Sequence, residues 1–367
     1  MNTSTLRIDA RYTHRLTDSR RRLAGSRNPR VPNGRPGDAW AAHLIATIIT
    51  MKLSAFPSLK PVAAAAGTML NTVRVISRAS DPGVLLGDEM KQYEALVGAQ
   101  VDVSKPVVIR LDGHCFRTYT RGFSRPFDER IHRAMVGTAM DLLERFHACT
   151  AYTESDEISL IFPPHTDEVP SAMPFNGRVQ KVASVTAGYA SARFNARMLR
   201  ETFGPSEAVL RERCEQSEAH FDSRVFNVPS VEALIRYLRW RAVHDCRRNS
   251  ISMLAQAHFA HETLNGESAS KCLARLEAVG VRWEATPAHF RQGTFVKKET
   301  YYKLGHDPRR PGEPVRAQRT RVRTRSLSLT ELPPEDVAAL ALSPFWADGF
   351  ADVVVENSPV PMVQSPG

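Results

Sequence analysis

Apolar positions along this chain fall into a few sharply different patterns. From Val107 to Leu111 they run almost without interruption and stop at Asp112-Gly113. A short run rich in Val and Ile reads as a buried strand, and Asp-Gly as the turn that ends it. Tyr152-Thr153-Glu154 and Ile158-Ser159-Leu160-Ile161-Phe162 read as two more strands, with Ser155-Asp156-Glu157 at a hairpin tip. Between them the period changes. Asp128 is placed to cap a helix, Glu129 lies in its first turn, and Ile131, Met135, Thr138, Leu142 and Phe146 recur at helical spacing. Strand, helix, strand, turn, strand predicts that the first two strands lie parallel and side by side, with the helix on one face. Asp112 and Asp156 would then reach one edge of one sheet.

Further patterns extend this core. Leu86 to Glu94 reads as a short lead-in helix, and residues 163–176, with four prolines, as a loop. Gln180 to Leu199 reads as a second helix with Val182, Val185, Tyr189, Ala192 and Met198 on its buried face. Phe226 to Pro229 reads as a strand. Ser230 caps a helix running through Leu234, Leu238 and Trp240 to Leu254. Gly293 to Lys298 is strand-like, and Arg319, Arg321, Arg323 and Arg325 alternate so that all four share one strand face. The fold class is α+β. The expected domains are a basic leader (1–85), a catalytic domain (86–228), a helical and β C-terminal region (229–345) and a tail (346–367).

Charge changes this picture at the N-terminus. The net charge is +10, and the first 85 residues carry thirteen Lys or Arg against four Asp. The rest is close to neutral, so any polyanion-binding surface there must come from local patches. Arg-rich and acid-poor, the leader fits a transit segment; a disordered tail or an over-extended gene start fits equally. Localisation is therefore cytoplasmic or mitochondrial. No run of 18 apolar residues exists, so no membrane partner is expected. Five widely spaced cysteines include no Cys-x-x-Cys pair, which argues against a zinc ribbon or disulfide framework and for a reducing compartment.

The candidate chemistry centres on acids. If Asp112, Asp156 and Glu157 converge, hard divalent cations with oxygen ligands would neutralise them. Asp112 and Asp156 are the candidate bridging ligands and the Gly113 carbonyl a further one. Glu157 is a third ligand or orients one. Two such ions activate a hydroxyl and stabilise a departing pyrophosphate. Residues 113–117 would turn their amides towards a triphosphate. Arg110, Arg125, Lys181 and Arg248 are candidate phosphate clamps. The arginine row at 319–325 suits a phosphate backbone, or is a charged edge strand that resists aggregation.

Arg110-Leu111-Asp112-Gly113 with Phe116, Tyr152 with Ser155-Asp156-Glu157-Ile158-Ser159, and the Trp240-Arg241 helix resemble the tRNA-histidine guanylyltransferase superfamily over about Leu86 to Phe345. The resemblance implies a polymerase-type palm, a ferredoxin-like sheet with helices packed on one side, and nucleotide addition to the 5′ end of tRNA in the 3′-to-5′ direction. It implies two Mg²⁺ ions on Asp112, the Gly113 carbonyl and Asp156. It implies GTP or ATP as substrate, held by Asp112, Gly113, His114, Cys115, Phe116, Arg117, Ser155 and Asp156, and a homotetramer. Lys181 matches a lysine in the family's pattern, whereas Arg125 replaces one. The segment Cys246-Arg247-Arg248-Asn249-Ser250-Ile251-Ser252 resembles the Arg-Asn-Ser form of guanylyltransferase-like, template-dependent 5′-end repair proteins. Arg247, Arg248 and Asn249 are the expected tRNA contacts there. One residue more than the family's pattern stands between Trp240 and Asp245. A nucleotide cyclase on the same palm and a non-catalytic RNA-binding protein are the competing readings.

Overall fold

The computed structural model describes residues 98–167, 173–306 and 314–347, together with Asp88, Met90, Lys91 and Glu94 of the lead-in segment, which are helical. The leader and most of the tail lie outside the described residues, and with them the readings made on them. From Val97 onward the chain is one compact unit.

The core pattern folds as strand, helix, hairpin, helix, strand. Strand β1 spans Val107–Gly113 and leads through a one-turn helix, α1 (Phe116–Tyr119), into α2 (Glu129–Phe146). Asp128 caps α2, its carboxylate accepting from the Arg130 amide at 2.9 Å. The hairpin follows as β2 (Thr150–Glu154) and β3 (Glu157–Phe162), then α3 (Val179–Met198), α4 (Ala208–Glu215) and β4 (Phe221–Asn227). Helices α5 (Val231–Arg239), α6 (Cys246–His258) and α7 (Ala269–Ala278) come next. A long ribbon, β5 (Thr294–His306) with β6 (Pro314–Arg325), and α8 (Pro334–Leu342) close the described chain.

All six strands join one antiparallel sheet in the order β4-β1-β3-β2-β5-β6. This corrects one expectation. β1 and β2 are parallel but not neighbours, because β3 lies between them and pairs with both. Only Ser155 and Asp156 separate β2 from β3, and so tight a turn returns the chain straight into the slot beside β2. A second correction concerns domains. The boundary expected after residue 228 separates nothing, since β5 pairs with β2 and extends the same sheet.

The alternation of β1 sorts the two cores. Val107, Ile109 and Leu111 face α2 and α3, with Leu142, Leu143, Phe146, Phe194 and Met198. Val108 faces the opposite layer with Ile161, Tyr152 and Phe295, beneath Leu234 and Leu238 of α5 and Val337 and Leu340 of α8. The long helices thus share one face, and the C-terminal region covers part of the other. Helix α3 buries a different stripe from the one its apolar pattern predicts: Val182, Thr186, Ala190, Phe194 and Met198 are inside, while Val185 is exposed. Thr186 tolerates burial because its hydroxyl reaches the Val182 carbonyl at 2.8 Å and the Ser223 hydroxyl at 2.9 Å. Between α5 and α6 the backbone widens into a π-helical turn, Trp240–Asp245. Such a turn absorbs one additional residue without breaking the helix, which accounts for the longer spacing there.

Candidate active site

Strand register lines up four acids on the face opposite α2 and α3. Asp222 of β4 stands opposite Asp112, Asp112 opposite Glu157, and Glu157 opposite Glu154. In the next row Arg224 stands opposite Arg110 and Arg110 opposite Ser159. Asp156 joins this end of the sheet from the hairpin turn. The Gly113 amide donates to the Asp156 carbonyl at 3.0 Å, fastening the end of β1 to that turn. Gly113 is required here: a Cβ would fall 2.3 Å from the Phe116 ring.

The two aspartates are held in a state that favours a cation. Burial pushes the Asp112 carboxyl above its usual range, and neighbouring Asp222 adds to the effect. Burial raises Asp156 likewise, and the charge of Asp112 raises it further. Ser155 supplies Asp156 with a hydroxyl at 2.9 Å, and Arg224 lies 3.9 Å from Asp112. Two partly desolvated carboxylates that destabilise each other's charge fit a shared hard cation.

Glu157 does not join them, contrary to expectation. Its carboxylate is ion-paired with Arg241 of the π-turn. Arg241, 4 % exposed, also pairs with Asp245 and approaches Glu154 at 3.4 Å. Asn249 donates to Glu154 at 3.3 Å. Even so, burial pushes Glu154 up to about 7. The acid row is therefore divided. Arg241 neutralises the half towards β2, and the half at Asp112 and Asp156 is left for an external cation. Among the described residues no three His, Cys, Asp or Glu side chains are grouped to hold a metal. Two carboxylates, not three acids, are left here to meet a hard cation.

A cavity of about 530 Å³ opens beside the hairpin. Phe116, Arg117, Arg125, Ser155, Asp156 and Asn249, all expected at a nucleotide or RNA site, line it. The ring of Phe116 is spent in the core against Tyr119, Phe194 and Phe221, so only its backbone is available to a ligand. His114 packs on His220 at 4.7 Å, and Cys115 is exposed in a left-handed conformation at the start of α1. Arg110 flanks Asp112, and its charge offsets part of that carboxyl's upward shift. Lys181 is not brought to the site. The segment before α3 pairs with residues 99–101, ahead of β1, so Lys181 lies at the far end of the sheet from Asp112, over the Phe175 ring.

The model of the family described as tRNAHis guanylyltransferase matches residues 87–229. An uncharacterised mimivirus protein is 31 % identical over 225 residues, covering 58 % of this chain and 77 % of that protein. A bacterial tRNA(His) guanylyltransferase-like protein, solved in complex with ATP, is 32 % identical with a TM-score of 0.51, covering 58 % of this chain and 88 % of that one. The chain belongs to the tRNA(His) guanylyltransferase family. It is a nucleotidyltransferase by that membership. It spans only 37 % of a longer member, tRNA(His) guanylyltransferase 1 of Arabidopsis thaliana, to which it is 26 % identical.

Within this guanylyltransferase-family chain the expected RNA contacts separate. Asn249 turns inward to Glu154 and lines the cavity. Arg248 pairs with Asp245 at 2.9 Å, and Arg247 lies over the Trp283 ring at 5.2 Å. Arg319, Arg321 and Arg323 are exposed on β6, the edge strand, whereas Arg325 is held at the root of the ribbon between Glu299 and the Trp346 ring. The row does not depend on a polyanion for its stability, since Arg321, Arg323 and Arg325 all reach Glu299. Glu154, Asp222, Arg224 and Arg241 were not assigned roles from sequence. Phe221-Asp222-Ser223-Arg224-Val225-Phe226 does not alternate apolar and polar residues, so the first half of β4 left no periodic signal.

Proposed function

We propose that this chain adds nucleotides to the 5′ end of tRNA in the 3′-to-5′ direction on a polymerase-type palm, in the template-dependent manner of 5′-end repair. The observation that carries this reading is the junction of Asp112-Gly113 with Asp156, the last of which lines a cavity of about 530 Å³ beside it. The ATP of the bacterial relative supports a nucleoside triphosphate as substrate. The Arg-Asn-Ser segment, with Asn249 and Ser250 on the cavity wall, supports repair over dedicated guanylate addition.

Asp112, Asp156 and the Gly113 carbonyl would hold Mg²⁺, two ions in this reading. When bound, they supply charge neutralisation and a lowered hydroxyl pKa. Arg117 and Arg125 bind the triphosphate from the rim, as guanidinium forks suit phosphate. Arg241 orders the sheet end by holding Glu157 and Glu154 apart from the two aspartates. The 3′-hydroxyl of the incoming nucleotide attacks the α-phosphorus of a 5′-triphosphate on the tRNA. A P–O bond forms as the bond to pyrophosphate breaks, and the hydroxyl proton passes to solvent. The opposite strand selects the base by pairing.

The test uses the purified full chain, each labelled NTP in turn, Mg²⁺, and a tRNA lacking its first 5′ nucleotide with each of four opposing bases. Extension by the complementary nucleotide is expected. Guanylate added whatever the opposing base would make the chain a dedicated tRNA(His) guanylyltransferase. Binding without extension would leave an RNA-binding protein, and a cyclic product formed without RNA would leave a cyclase.

A further inference from the structure

One face of the ribbon carries a row of arginines, while Lys298 and Arg316 fall on the other face. Strand register places Glu299, Tyr301 and Lys303 of β5 opposite Arg321, Arg319 and Ala317 of β6, and Lys297 opposite Arg323. Glu299 is the sole acid in that row. Arg321 grips it through Nε at 2.7 Å and a terminal nitrogen at 2.6 Å, while Arg323 reaches it at 3.4 Å and Arg325 at 3.2 Å. Arg321 also lies over the Tyr301 ring at 4.7 Å. The three guanidinium groups differ in access. Side-chain exposure is 43 % for Arg321 and 51 % for Arg323, but 13 % for Arg325, and Glu299 itself is 20 % exposed. The carboxylate thus sits beneath the exposed arginines, on their inner side.

One carboxylate serving three guanidiniums satisfies none of them fully. A phosphodiester arriving from solvent offers Arg321 and Arg323 acceptors with a full negative charge each, without moving the backbone. The strand spacing sets the row: alternate residues follow one another along one edge, and β6 has no strand on its other side among the described residues. A chain of phosphates lying along that edge can meet Arg319, Arg321 and Arg323 in succession.

We propose that Glu299 is the ribbon's resident counter-ion, and that the phosphate backbone of a bound RNA takes Arg321 and Arg323 from it. The proposal rests on the reading of this chain as a tRNA-acting enzyme and adds where the RNA backbone lies and what it displaces. Arg325 stays with Glu299 and Trp346 and takes no phosphate. Glu299 lowers RNA affinity in the native protein, and keeps the exposed arginines paired when no RNA is present.

The experiment measures binding of fluorescein-labelled tRNA transcript to the full chain by anisotropy across a salt series. Each phosphate neutralised contributes about 0.9 to the log–log salt slope. Glu299→Gln is expected to tighten binding about fivefold at low salt and to steepen the slope by up to about one phosphate. The double variant R321Q/R323Q is expected to weaken binding and flatten the slope by about two phosphates. In that background Glu299→Gln should add nothing. Unchanged or weaker binding by Glu299→Gln, with the loss in R321Q/R323Q intact, would overturn the counter-ion role and leave the ribbon as an RNA contact. No loss in R321Q/R323Q would overturn both. A second measurement needs no variant. The Nε–Hε NMR signal of Arg321 should shift when unlabelled tRNA is added, and an unshifted signal in the saturated complex would overturn the exchange of partners.

Discussion

The Gly113 amide and the Asp156 carbonyl meet at 3.0 Å, which makes the end of β1 and the tip of the β2–β3 hairpin one rigid corner. Asp112 precedes the first of these residues, and the second carries its own carboxylate. The corner therefore fixes the separation of the two acids before any ion arrives. Preorganisation of this kind is what a site needs to act on charge that develops during a reaction.

Removing either carboxylate should separate chemistry from stability. Asp112→Asn and Asp156→Asn are each expected to reduce 5′ extension by at least about 100-fold. Neither should lower the melting temperature, because the charges removed oppose each other across the corner. Mg²⁺ should raise the melting temperature of the native chain and leave that of Asp156→Asn nearly unchanged. Differential scanning fluorimetry with and without Mg²⁺ checks this, and a destabilised Asp156→Asn would contradict it.

Gly113→Ala should fail for steric reasons. The new methyl would lie 2.3 Å from the Phe116 ring, which is locked among Tyr119, Phe194 and Phe221. Overpacking of this kind costs about 1–3 kcal/mol. The shift of β1 relative to the hairpin should also abolish extension. Urea denaturation and the extension assay measure the two losses on the same sample.

Arg241→Ala leaves Glu154, Glu157 and Asp245 with no shared cation. Breaking a buried pair by removing one partner costs about 3–5 kcal/mol. Arg241→Lys should recover only part of the loss, because an ammonium lacks the fork that spans three carboxylates. Chemical denaturation of the two variants gives the order: native, then Lys, then Ala.

Glu154 makes stability depend on pH. Burial raises its carboxyl from 4.5 to about 7, so between those values the folded chain holds a proton that the unfolded chain releases. Its contribution is present in full below about 4.5 and is lost as pH rises through about 7. Unfolding free energy should therefore fall across this window, and Glu154→Gln should remove much of that slope. A denaturation series from acid to neutral pH reads it directly.

Much of the candidate site at this corner was legible because it is local. The strand ending at Asp112-Gly113, the helix capped by Asp128 and the hairpin with Ser155-Asp156 at its tip each follow from residues close in sequence. Helix α3 was misread for a reason that its own residues contain. Thr186 is buried through hydrogen bonds to Val182 and to Ser223 of β4, and no apolar pattern registers a bond to a distant strand. Lys181 was assigned to the site from type and motif alone. Its position at the helix start puts it at the wrong end of the sheet, because α3 runs antiparallel to the strand it precedes.

By itself the sequence determined β1, α2, the β2–β3 hairpin and the start of α5, since periodicity, capping and turn chemistry act over a few residues. It also determined that Asp112 and Asp156 leave the same end of the sheet, because a helical crossover returns the chain in the same direction. Tertiary structure alone decided which acids stay free. Glu157 stands opposite Asp112 in register and is an acid of the same kind, yet it is claimed by Arg241, which a π-turn swings over the sheet from the C-terminal region. Which cation reaches a carboxylate depends on packing between elements far apart in the chain, and no local pattern encodes that.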